Sequence, residues 1–481
     1  MNQPNILFIL SDDQGAWAMR CAGNADIQTP NLDRIAANGV RFDNFFCVSP
    51  VCSPARASIL TGTIPSVHGV HDWLRGGNLD RAAALDAPDE TVPVQYTSHL
   101  TGYTDLLAQN GYTCALSGKW HLGDSVHPQH GYTRWFTIGR GGCLYYKPDL
   151  VRDGKVFYDP EGRYVTDIIT EDALKNIREL SAEGKPFYLG VHYTAPHSPW
   201  DEDNHPKEYL DLYRDCAFTA TPDLPIHPWQ VPSAPSGTGE KRKELLRGYY
   251  AAVTAMDHDI GLLLDELERQ GIADNTLIIF TADNGMNMGH HGIWGKGNGT
   301  FPQNMFDTSV KVPFLISWPG HLPAGKVEEG MASHYDLFPT LVELLSLSGE
   351  VRQPLPGKSL LPLLDGQEED RAVVVYDEYG PVRMIRTREW KLVLRNPYGP
   401  HELYHLTDDP EETRNWFGAP EYADVCAGLR DRLQKWFVRY ADPALDGSRE
   451  PVTGFGQLGR CGTMAEGREV YAEAAMYWRR D

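Results

Sequence analysis

Short apolar runs recur along the chain and constrain its fold more than any other feature. Four of them are Asn5–Leu10, Pro186–Val191, Thr276–Thr281 and Val312–Ser317. None alternates apolar with polar residues, which is the pattern of strands that expose one face to water. Each run therefore predicts a buried strand of a parallel sheet that is covered on both faces.

Helical patterns lie between these runs. They cover Asn31–Asn38, Val165–Ala182 and Lys243–Gln270, and the first and third are followed by a glycine that can end a helix. Strands that alternate with helices predict an α/β fold, with a large, mostly parallel or mixed sheet flanked by helices. The segment 217–242 is interpreted as a long surface loop.

A stretch rich in proline, glycine and acidic residues, 353–370, predicts a domain boundary. Residues 1–365 would form the larger, catalytic domain, and residues 366–481 a smaller C-terminal α+β domain. The strands expected in the smaller domain alternate more, which favours an antiparallel sheet. A helix is expected there around Asp424–Tyr440.

Polar side chains follow the predicted strands at the point where each strand ends. Ligands of open α/β sheets bind beyond the carboxyl ends of the strands, so these residues are expected to share one site. Each residue alone is compatible with a turn, a helix cap or a solvated surface, and only the common placement indicates a site. The residues are Asp12, Asp13, Lys119, His121, His197, Asp283 and Asn284.

The candidate residues fall into three chemical groups. Hard oxygen donors are the ligands that Ca²⁺ or Mg²⁺ prefers, and cations beside such an ion stabilise the charge of a phosphate or sulfate in its transition state. Imidazoles can move protons. The oxygen donors are Asp12, Asp13, Asp283 and Asn284, the cations are Arg56, Lys119 and Lys296, and the imidazoles are His121 and His197.

Cys52 begins the sequence CSPAR, at the start of a predicted helix with Pro54 in its first turn. A helix N-terminus lowers the pKa of a thiol, so a nucleophilic thiolate is one interpretation. A small buried hydrophobic residue is another. A thiolate is a poor partner for Ca²⁺ or Mg²⁺, and we therefore expect that residue 52 does not act as a thiol.

The composition narrows the class of protein further. The net charge of −21 argues against a nucleic-acid-binding protein, which needs a basic face. The eight cysteines include no CxxC pair, which favours reduced thiols. The N-terminal run lacks the features of a signal peptide, and no stretch is long enough to span a membrane. These features predict a cytoplasmic protein without nucleic-acid or membrane partners.

The sequence CSPAR at Cys52–Arg56, followed by ILTG at Ile59–Gly62, resembles the signature of the type I sulfatases, within the alkaline-phosphatase-like superfamily. Further segments match that family in order, among them NILFILSDDQG, GKWHLG, APHSPW, IIFTADNG and HHGIWGKGNGTF. The segment WKLVLR…HELYHLTDDPEETRN looks like the small domain of the family. The resemblance covers about residues 3–440.

In this family a maturation enzyme oxidises the signature cysteine to Cα-formylglycine, so the resemblance implies this modification at Cys52. The hydrated aldehyde would supply the nucleophile that attacks sulfur. It would also complete the coordination of one Ca²⁺, or Mg²⁺, whose other ligands are Asp12, Asp13, Asp283 and Asn284.

The resemblance also implies roles for the remaining candidate residues. Arg56 would orient the nucleophile, while Lys119 and Lys296 would neutralise sulfate oxygens. His197 would donate a proton to the leaving alcohol, and a base near His121 would remove a proton from the nucleophile.

Substrate specificity in the family comes from loops beyond the sulfate-binding residues. Here the loop 67–78 carries His71, Trp73 and Arg75, which suit a sugar ring that stacks on the indole and an acidic group that meets the guanidinium. An ordinary surface loop is the equally weighted alternative. We interpret the chain as an exo-acting sulfatase that releases inorganic sulfate from small sulfated saccharides of the glycosaminoglycan-fragment type.

Three other functions remain open at this point. One is arylsulfatase or choline-sulfatase-like activity on small sulfate esters. Another is hydrolysis of phosphonates or phosphate diesters, within the same superfamily. The third, from a different class, is a catalytically inactive protein that binds sulfated glycans, and it would predict an unmodified Cys52 and a broken ligand set.

Overall fold

The computed structural model describes residues 3–80, 90, 92–232, 234–378 and 380–473. Within these ranges the strands are β1 (Asn5–Ser11), β2 (Val40–Phe42), β3 (Phe45–Phe46), β4 (Thr113–Lys119), β5 (Tyr132–Ile138), β6 (Leu150–Arg152), β7 (Lys155–Phe157), β8 (Phe187–His192), β9 (Thr276–Ala282), β10 (Asn287–Met288), β11 (Trp294–Gly295), β12 (Phe314–Ser317), β13 (Lys326–Glu328), β14 (Ala332–Ser333), β15 (Val373–Asp377), β16 (Val382–Arg386), β17 (Trp390–Arg395) and β18 (Glu402–His405). The α-helices are α1 (Pro30–Ala37), α2 (Cys52–Thr61), α3 (Pro65–His68), α4 (Tyr103–Gln109), α5 (Val165–Glu183), α6 (Lys207–Asp211), α7 (Gly239–Arg269), α8 (Asp307–Val310), α9 (Leu337–Leu344), α10 (Leu361–Leu364) and α11 (Ala423–Tyr440).

Ten strands form one mixed sheet, in the order β13-β2-β12-β9-β1-β8-β4-β5-β6-β7. Its centre is parallel, because β9, β1, β8, β4 and β5 all run in the same direction. Strands β12, β6 and β7 each run antiparallel to the neighbour that is nearer the centre. The predicted α/β fold with a large mixed sheet is therefore confirmed.

The central strand β1 explains why the apolar runs do not alternate. Ile6, Phe8 and Leu10 pack into one apolar cluster, whereas Leu7 and Ile9 pack into another on the opposite face. All five side chains are almost fully buried. Helices α1, α5 and α7 cover the second face with their apolar side chains.

The predicted direction of the run Val312–Ser317 is wrong. Its strand, β12, is antiparallel to both of its neighbours, with Leu315 opposite Phe280 on one side and Arg41 on the other. An apolar run reports burial on both faces and carries no information about direction. No crossover through a long helix separates β9 from β12, and the chain returns antiparallel after the short elements β10, β11 and α8.

The segment 217–242 is irregular as predicted, although α7 begins at Gly239 and takes its last residues. Part of it packs inward. The Gln230 side chain accepts a hydrogen bond from the Trp294 N–H (2.8 Å) and donates one to the Trp294 carbonyl (2.8 Å). The loop thus anchors the strand that leads directly to Lys296.

The C-terminal region contains the predicted antiparallel sheet, formed by β15, β16, β17 and β18, and the predicted helix, α11. One face of the sheet packs on α11. From the other face, Val375 and Met384 join the same apolar cluster as Ile6 of the large sheet. The division at residue 365 stays a prediction.

Two further features concern the chain as a whole. All eight cysteines lie within the described ranges and are free thiols. Among the described helices, none combines the length and apolar character needed to cross a bilayer.

A buried ion cluster joins the C-terminal sheet to the large domain and yields a stability prediction. Lys391 has no exposed surface; its ammonium group donates to the Met305 carbonyl (2.9 Å) and pairs with Glu412 and with Asp307 (2.5 Å). Substitution of Lys391 by methionine would leave the buried carboxylate of Glu412 without its cation and the partly buried Asp307 with Arg386 as its remaining partner (3.1 Å). We expect this variant to lose about 3–5 kcal/mol of unfolding free energy.

Urea unfolding measures this loss. The matched control is Lys435→Met on α11, because Lys435 is exposed and pairs with Asp431 (2.7 Å) in water. The control should lose no more than about 1 kcal/mol. Equal losses in the two variants would show that the buried cluster contributes nothing specific.

Candidate active site

Four neighbouring strands of the parallel centre deliver polar residues to one edge of the sheet. Asp12 and Asp13 follow β1, and Asp283 follows β9, which is the strand next to it. One carboxylate oxygen from each of these three residues lies within 4.8 Å of the other two. Lys119 ends β4, and His197 follows β8. The structure thus brings the predicted strand-end residues into a single cluster.

Cys52 enters the cluster from the N-terminus of α2, a helix that is buried along its whole length. Its Sγ lies 3.5 Å from Asp12 Oδ1 and 2.8 Å from Lys296 Nζ. Burial, together with the charge of Asp12, raises the pKa of the Cys52 thiol to about 12. An unmodified thiol in this position is therefore neutral and a weak nucleophile.

Each carboxylate of the cluster is paired with one cation. The pairs are Lys119 with Asp12, Lys296 with Asp13 (2.5 Å) and Arg56 with Asp283 (2.9 Å). Burial alone would raise the pKa of Asp283, but Arg56 and Lys119 outweigh it and hold that pKa below its ordinary value. Arg56 also donates to the Lys119 carbonyl (3.1 Å), which ties α2 to the end of β4.

The donor set fits a hard divalent cation. Three carboxylates converge, and the buried Oδ1 of Asn284 points beside them without a hydrogen-bond partner. Three protein cations already balance the three carboxylates, so a divalent ion would leave the site with a net positive charge. That excess would match an anionic ester, and oxygen ligands of this kind are those of Ca²⁺ or Mg²⁺.

The two candidate histidines have different surroundings. His121 is buried, and burial with the nearby Lys119 holds its pKa well below the ordinary value. Its Nε2 lies 3.2 Å from the Leu74 carbonyl, to which it donates, so Nδ1 keeps its lone pair and has no protein partner. His197 is partly exposed, and its Nδ1 donates to the Ser198 carbonyl (2.7 Å). Its Nε2 is thereby left available for chemistry.

A cavity of about 520 Å³ opens onto this cluster. Within the described residues, its lining contains no carboxylate. The lining residues are Val51, Cys52, Trp73, Leu74, Arg75, Asn78, His121, Arg140, Gly141, Gly142, His197, Lys296 and Asn298.

The three predicted substrate-binding residues separate in the structure. Trp73 and Arg75 line the cavity, whereas His71 does not. The His71 ring is buried and donates from Nε2 to the Leu445 carbonyl (2.9 Å), and burial lowers its pKa to about 4. His71 therefore holds the loop from the protein interior and does not face the cavity.

Several lining residues were not identified from the sequence. Arg140 follows β5, the next strand of the parallel centre, so the strand-end rule would have found it. Its Nε donates to Asp149 (2.6 Å). Gly141 had no such signal, because its role depends on a close approach: a Cβ at this position would lie 2.1 Å from Cε1 of His121.

Comparison with known proteins finds that the chain is similar to sulfatases. A family model described as Sulfatase matches residues 4–347, and one described as N-sulphoglucosamine sulphohydrolase, C-terminal, matches residues 289–439. An N-acetylglucosamine-6-O-sulfatase of Bacteroides thetaiotaomicron is 29% identical, over 92% of this chain and 87% of that protein. A choline-sulfatase of Rhizobium meliloti is 30% identical, over 92% and 89%.

Solved structures extend the likeness to three dimensions. One neighbour, determined in complex with its substrate D-glucosamine-2-N,6-O-disulfate, superposes with a TM-score of 0.74 at 26% identity. The superposition covers 93% of this chain and 100% of that one. The match of the Sulfatase model to most of the chain, on a fold that assembles the signature cysteine with the acidic and basic groups, shows that this protein belongs to the sulfatase family and is a sulfuric ester hydrolase.

Proposed function

We propose that this sulfatase releases inorganic sulfate from small sulfated saccharides, acting on the terminal sugar, with a formylglycine at position 52 and one Ca²⁺ in the acidic cluster. The observation that carries the proposal is the cavity above Cys52. Its volume of about 520 Å³ is that of a site for a small ligand, and it is lined by an indole and by cations. Trp73 offers a stacking surface for a sugar ring, and Arg75 offers a partner for a second acidic group.

The same lining argues against a choline-sulfatase-like substrate. A quaternary ammonium group is bound by several aromatic rings or by a carboxylate. Trp73 is the one aromatic side chain that the described residues place in the lining, and no carboxylate accompanies it there. The relative that acts on choline sulfate is nevertheless similar along most of the chain, so choline sulfate belongs in any test.

The proposal assigns the chemistry to residues around position 52. A formylglycine at position 52 would supply, once hydrated, an oxygen nucleophile, and a divalent cation held by Asp12, Asp13, Asp283 and Asn284 would lower the pKa of that nucleophile and polarise the sulfate ester. Lys119 pairs with Asp12 and Lys296 pairs with Asp13, and both ammonium groups would donate hydrogen bonds to the oxygens of an incoming sulfate. Arg56 is held by Asp283 and by the Lys119 carbonyl. It therefore fixes the position of α2 and of residue 52 relative to the acidic cluster.

His197 is the proposed proton donor to the leaving alcohol. Because Nδ1 donates to the Ser198 carbonyl, the ring is held with Nε2 free to carry the proton, and the residue lines the cavity. Nε2 also lies 3.7 Å from Asp13 Oδ2. His121, whose Nδ1 lone pair is unpartnered, is the proposed proton acceptor from the nucleophile.

A substrate panel tests the proposed function. The protein is produced together with a formylglycine-generating maturation enzyme, and peptide mass spectrometry confirms that the thiol of Cys52 has been exchanged for an aldehyde. Sulfate release is then measured for defined sulfated disaccharides, an aryl sulfate, choline sulfate and a phosphonate monoester. We expect kcat/KM for at least one disaccharide to exceed that for choline sulfate by about tenfold or more. The reverse order would contradict the saccharide proposal.

The role of His197 gives a prediction that depends on the leaving group. Substitution by alanine should reduce kcat for a sugar sulfate by about 10²–10⁴-fold, because an alkoxide is a poor leaving group without a proton. An aryl sulfate, whose phenolate leaves unaided, should lose far less. The control is His127→Ala, since His127 is exposed and contacts Asp124 away from the cavity. Equal losses with the two substrates would rule out proton donation by His197.

A further inference from the structure

The residues 453–472, named here the C-terminal strap, run back over the loop that carries Trp73 and Arg75. The strap lies outside both matched family models, which end at residues 347 and 439. It is a closed unit, because the Ala472 N–H donates to the Gly456 carbonyl (2.9 Å) and the Leu458 N–H donates to the Val470 carbonyl (2.7 Å). Its contacts with the cavity loop lie beyond the segments that the two family models match.

Main-chain hydrogen bonds fasten the strap to both lining residues. The Gln457 N–H donates to the Trp73 carbonyl (2.8 Å), and the Arg75 N–H donates to the Gln457 carbonyl (3.0 Å). The side chains are held as well: Trp73 Nε1 donates to the Gly454 carbonyl (3.4 Å), and Arg75 Nη1 donates to the Phe455 carbonyl (3.2 Å). The strap thus sets the direction of the indole and of the guanidinium.

The Gln457 side chain fixes the strap and the cavity loop to each other from the protein interior. It is fully buried, and its Oε1 accepts from the N–H groups of His71 (3.0 Å) and Asp72 (3.4 Å). Its Nε2 donates to the carbonyls of Gly69 (2.9 Å) and Gly459 (2.9 Å). If the amide were flipped, Nε2 would face the N–H donors of His71 and Asp72, and Oε1 would face the carbonyls of Gly69 and Gly459. Only one orientation of the Gln457 amide therefore satisfies its hydrogen bonds. Its removal would leave the N–H groups of His71 and Asp72 without this acceptor and the Gly69 carbonyl with the Cys461 thiol as its remaining donor (3.2 Å).

Gly456 marks the closest approach of the strap to the two lining residues. A Cβ at this position would lie 2.5 Å from Cβ of Arg75 and 3.1 Å from Cζ2 of Trp73. The backbone φ of +111° is also one that residues other than glycine rarely adopt. Any side chain here must displace the indole or the guanidinium.

We infer that the C-terminal strap determines substrate specificity by positioning Trp73 and Arg75 against the part of the substrate beyond its sulfate group. This inference rests on the proposed saccharide substrate. The residues that would hold the sulfate, Lys119 and Lys296, make no hydrogen bond to the strap among the described contacts, whereas His121 is linked to the loop that the strap holds through the Leu74 carbonyl. Gln457 touches no substrate and is a positioning residue.

Steady-state kinetics of Gln457→Ala and Gly456→Ala test the inference. With a sulfated disaccharide that the wild-type enzyme cleaves, both variants should raise KM by about tenfold, because the sugar-binding edge loses its fixed geometry. The value of kcat should change much less, within about a few-fold, since Lys119 and Lys296 make no hydrogen bond to the strap among the described contacts and the loop reaches His121 through the Leu74 carbonyl alone of the bonds described for that ring. Inorganic sulfate would bind beside Lys119 and Lys296 and would not reach Trp73 or Arg75, so its Ki as an inhibitor should be unchanged. Arg468→Ala, an exposed position of the same strap, is the matched control.

The possible outcomes separate the inference from the proposed function. Wild-type enzyme that cleaves an aryl sulfate but no saccharide would overturn the proposed substrate and the strap's role together. Wild-type cleavage of the disaccharide with unchanged KM in both variants would overturn the strap's role alone. A loss in kcat, or in the affinity for inorganic sulfate, as large as the rise in KM would also overturn the strap's role alone, because the strap would then support the whole site. If Gln457→Ala does not fold, Gly456→Ala decides the matter, since it keeps the Gln457 amide.

Discussion

Replacement of Cys52 by alanine is expected to reduce turnover of every sulfate ester by at least about 10⁴-fold. The reason is that alanine can be neither a thiol nor the precursor of a formylglycine, so the position loses its nucleophile. The fold should persist, because alanine keeps the Cβ and favours the first turn of α2. The measurement is sulfate release by enzyme that has been produced with the maturation enzyme.

A matched control separates the loss of the nucleophile from the loss of a buried sulfur atom. Cys114 is equally buried, lies near the start of β4, donates to the Thr104 carbonyl and is not among the residues that line the cavity. Cys114→Ala should retain activity within about a factor of a few, since its cost falls on packing. Turnover by Cys52→Ala above about one hundredth of the wild-type rate would mean that another group attacks sulfur.

The central parallel strands and their polar ends are the part of the fold that could be predicted from the sequence. Burial on both faces gives β1, β8 and β9 a local signature, and the rule that ligands bind beyond the carboxyl ends needs no knowledge of the strand order. Asp12, Asp13 and Asp283 could be grouped for this reason. The direction of β12 could not be predicted, because a buried strand has the same apolar pattern whether it is parallel or antiparallel to its neighbours.

The rest of the site depends on contacts between distant parts of the chain. His71 resembled a substrate ligand in its loop, yet the Leu445 carbonyl, which lies 374 residues later, holds its ring in the interior. Trp73 and Arg75 in the same loop reach the cavity because the strap turns them toward it. No local pattern distinguishes these three residues. Non-local packing decides which of them faces the substrate.

The acidic cluster yields the second large prediction, for Asp13→Asn. Asparagine has nearly the same shape and removes one negative charge from the three carboxylates that converge with Asn284. We expect Ca²⁺ affinity to fall by about 10²-fold or more, and kcat/KM at fixed Ca²⁺ to fall by about 10³-fold, because metal assistance contributes several kcal/mol to such reactions. Asp13 is the informative choice because its partner Lys296 borders the cavity, whereas Lys119, the partner of Asp12, has no exposed surface.

Thermal unfolding with and without Ca²⁺ provides a readout that does not require activity. A ligand at about one hundred times its Kd stabilises the folded state by about 2.7 kcal/mol, so wild-type protein should show a clear rise in Tm when Ca²⁺ is added after chelation. Asp13→Asn should lose most of that rise at the same Ca²⁺ concentration. Asp257→Asn is the control, since Asp257 is equally buried but caps α1 through the Asn31 and Leu32 N–H groups. If Asp13→Asn and the wild type gained the same Tm, the cation would have to bind elsewhere, and Asp13 would serve only as the partner of Lys296.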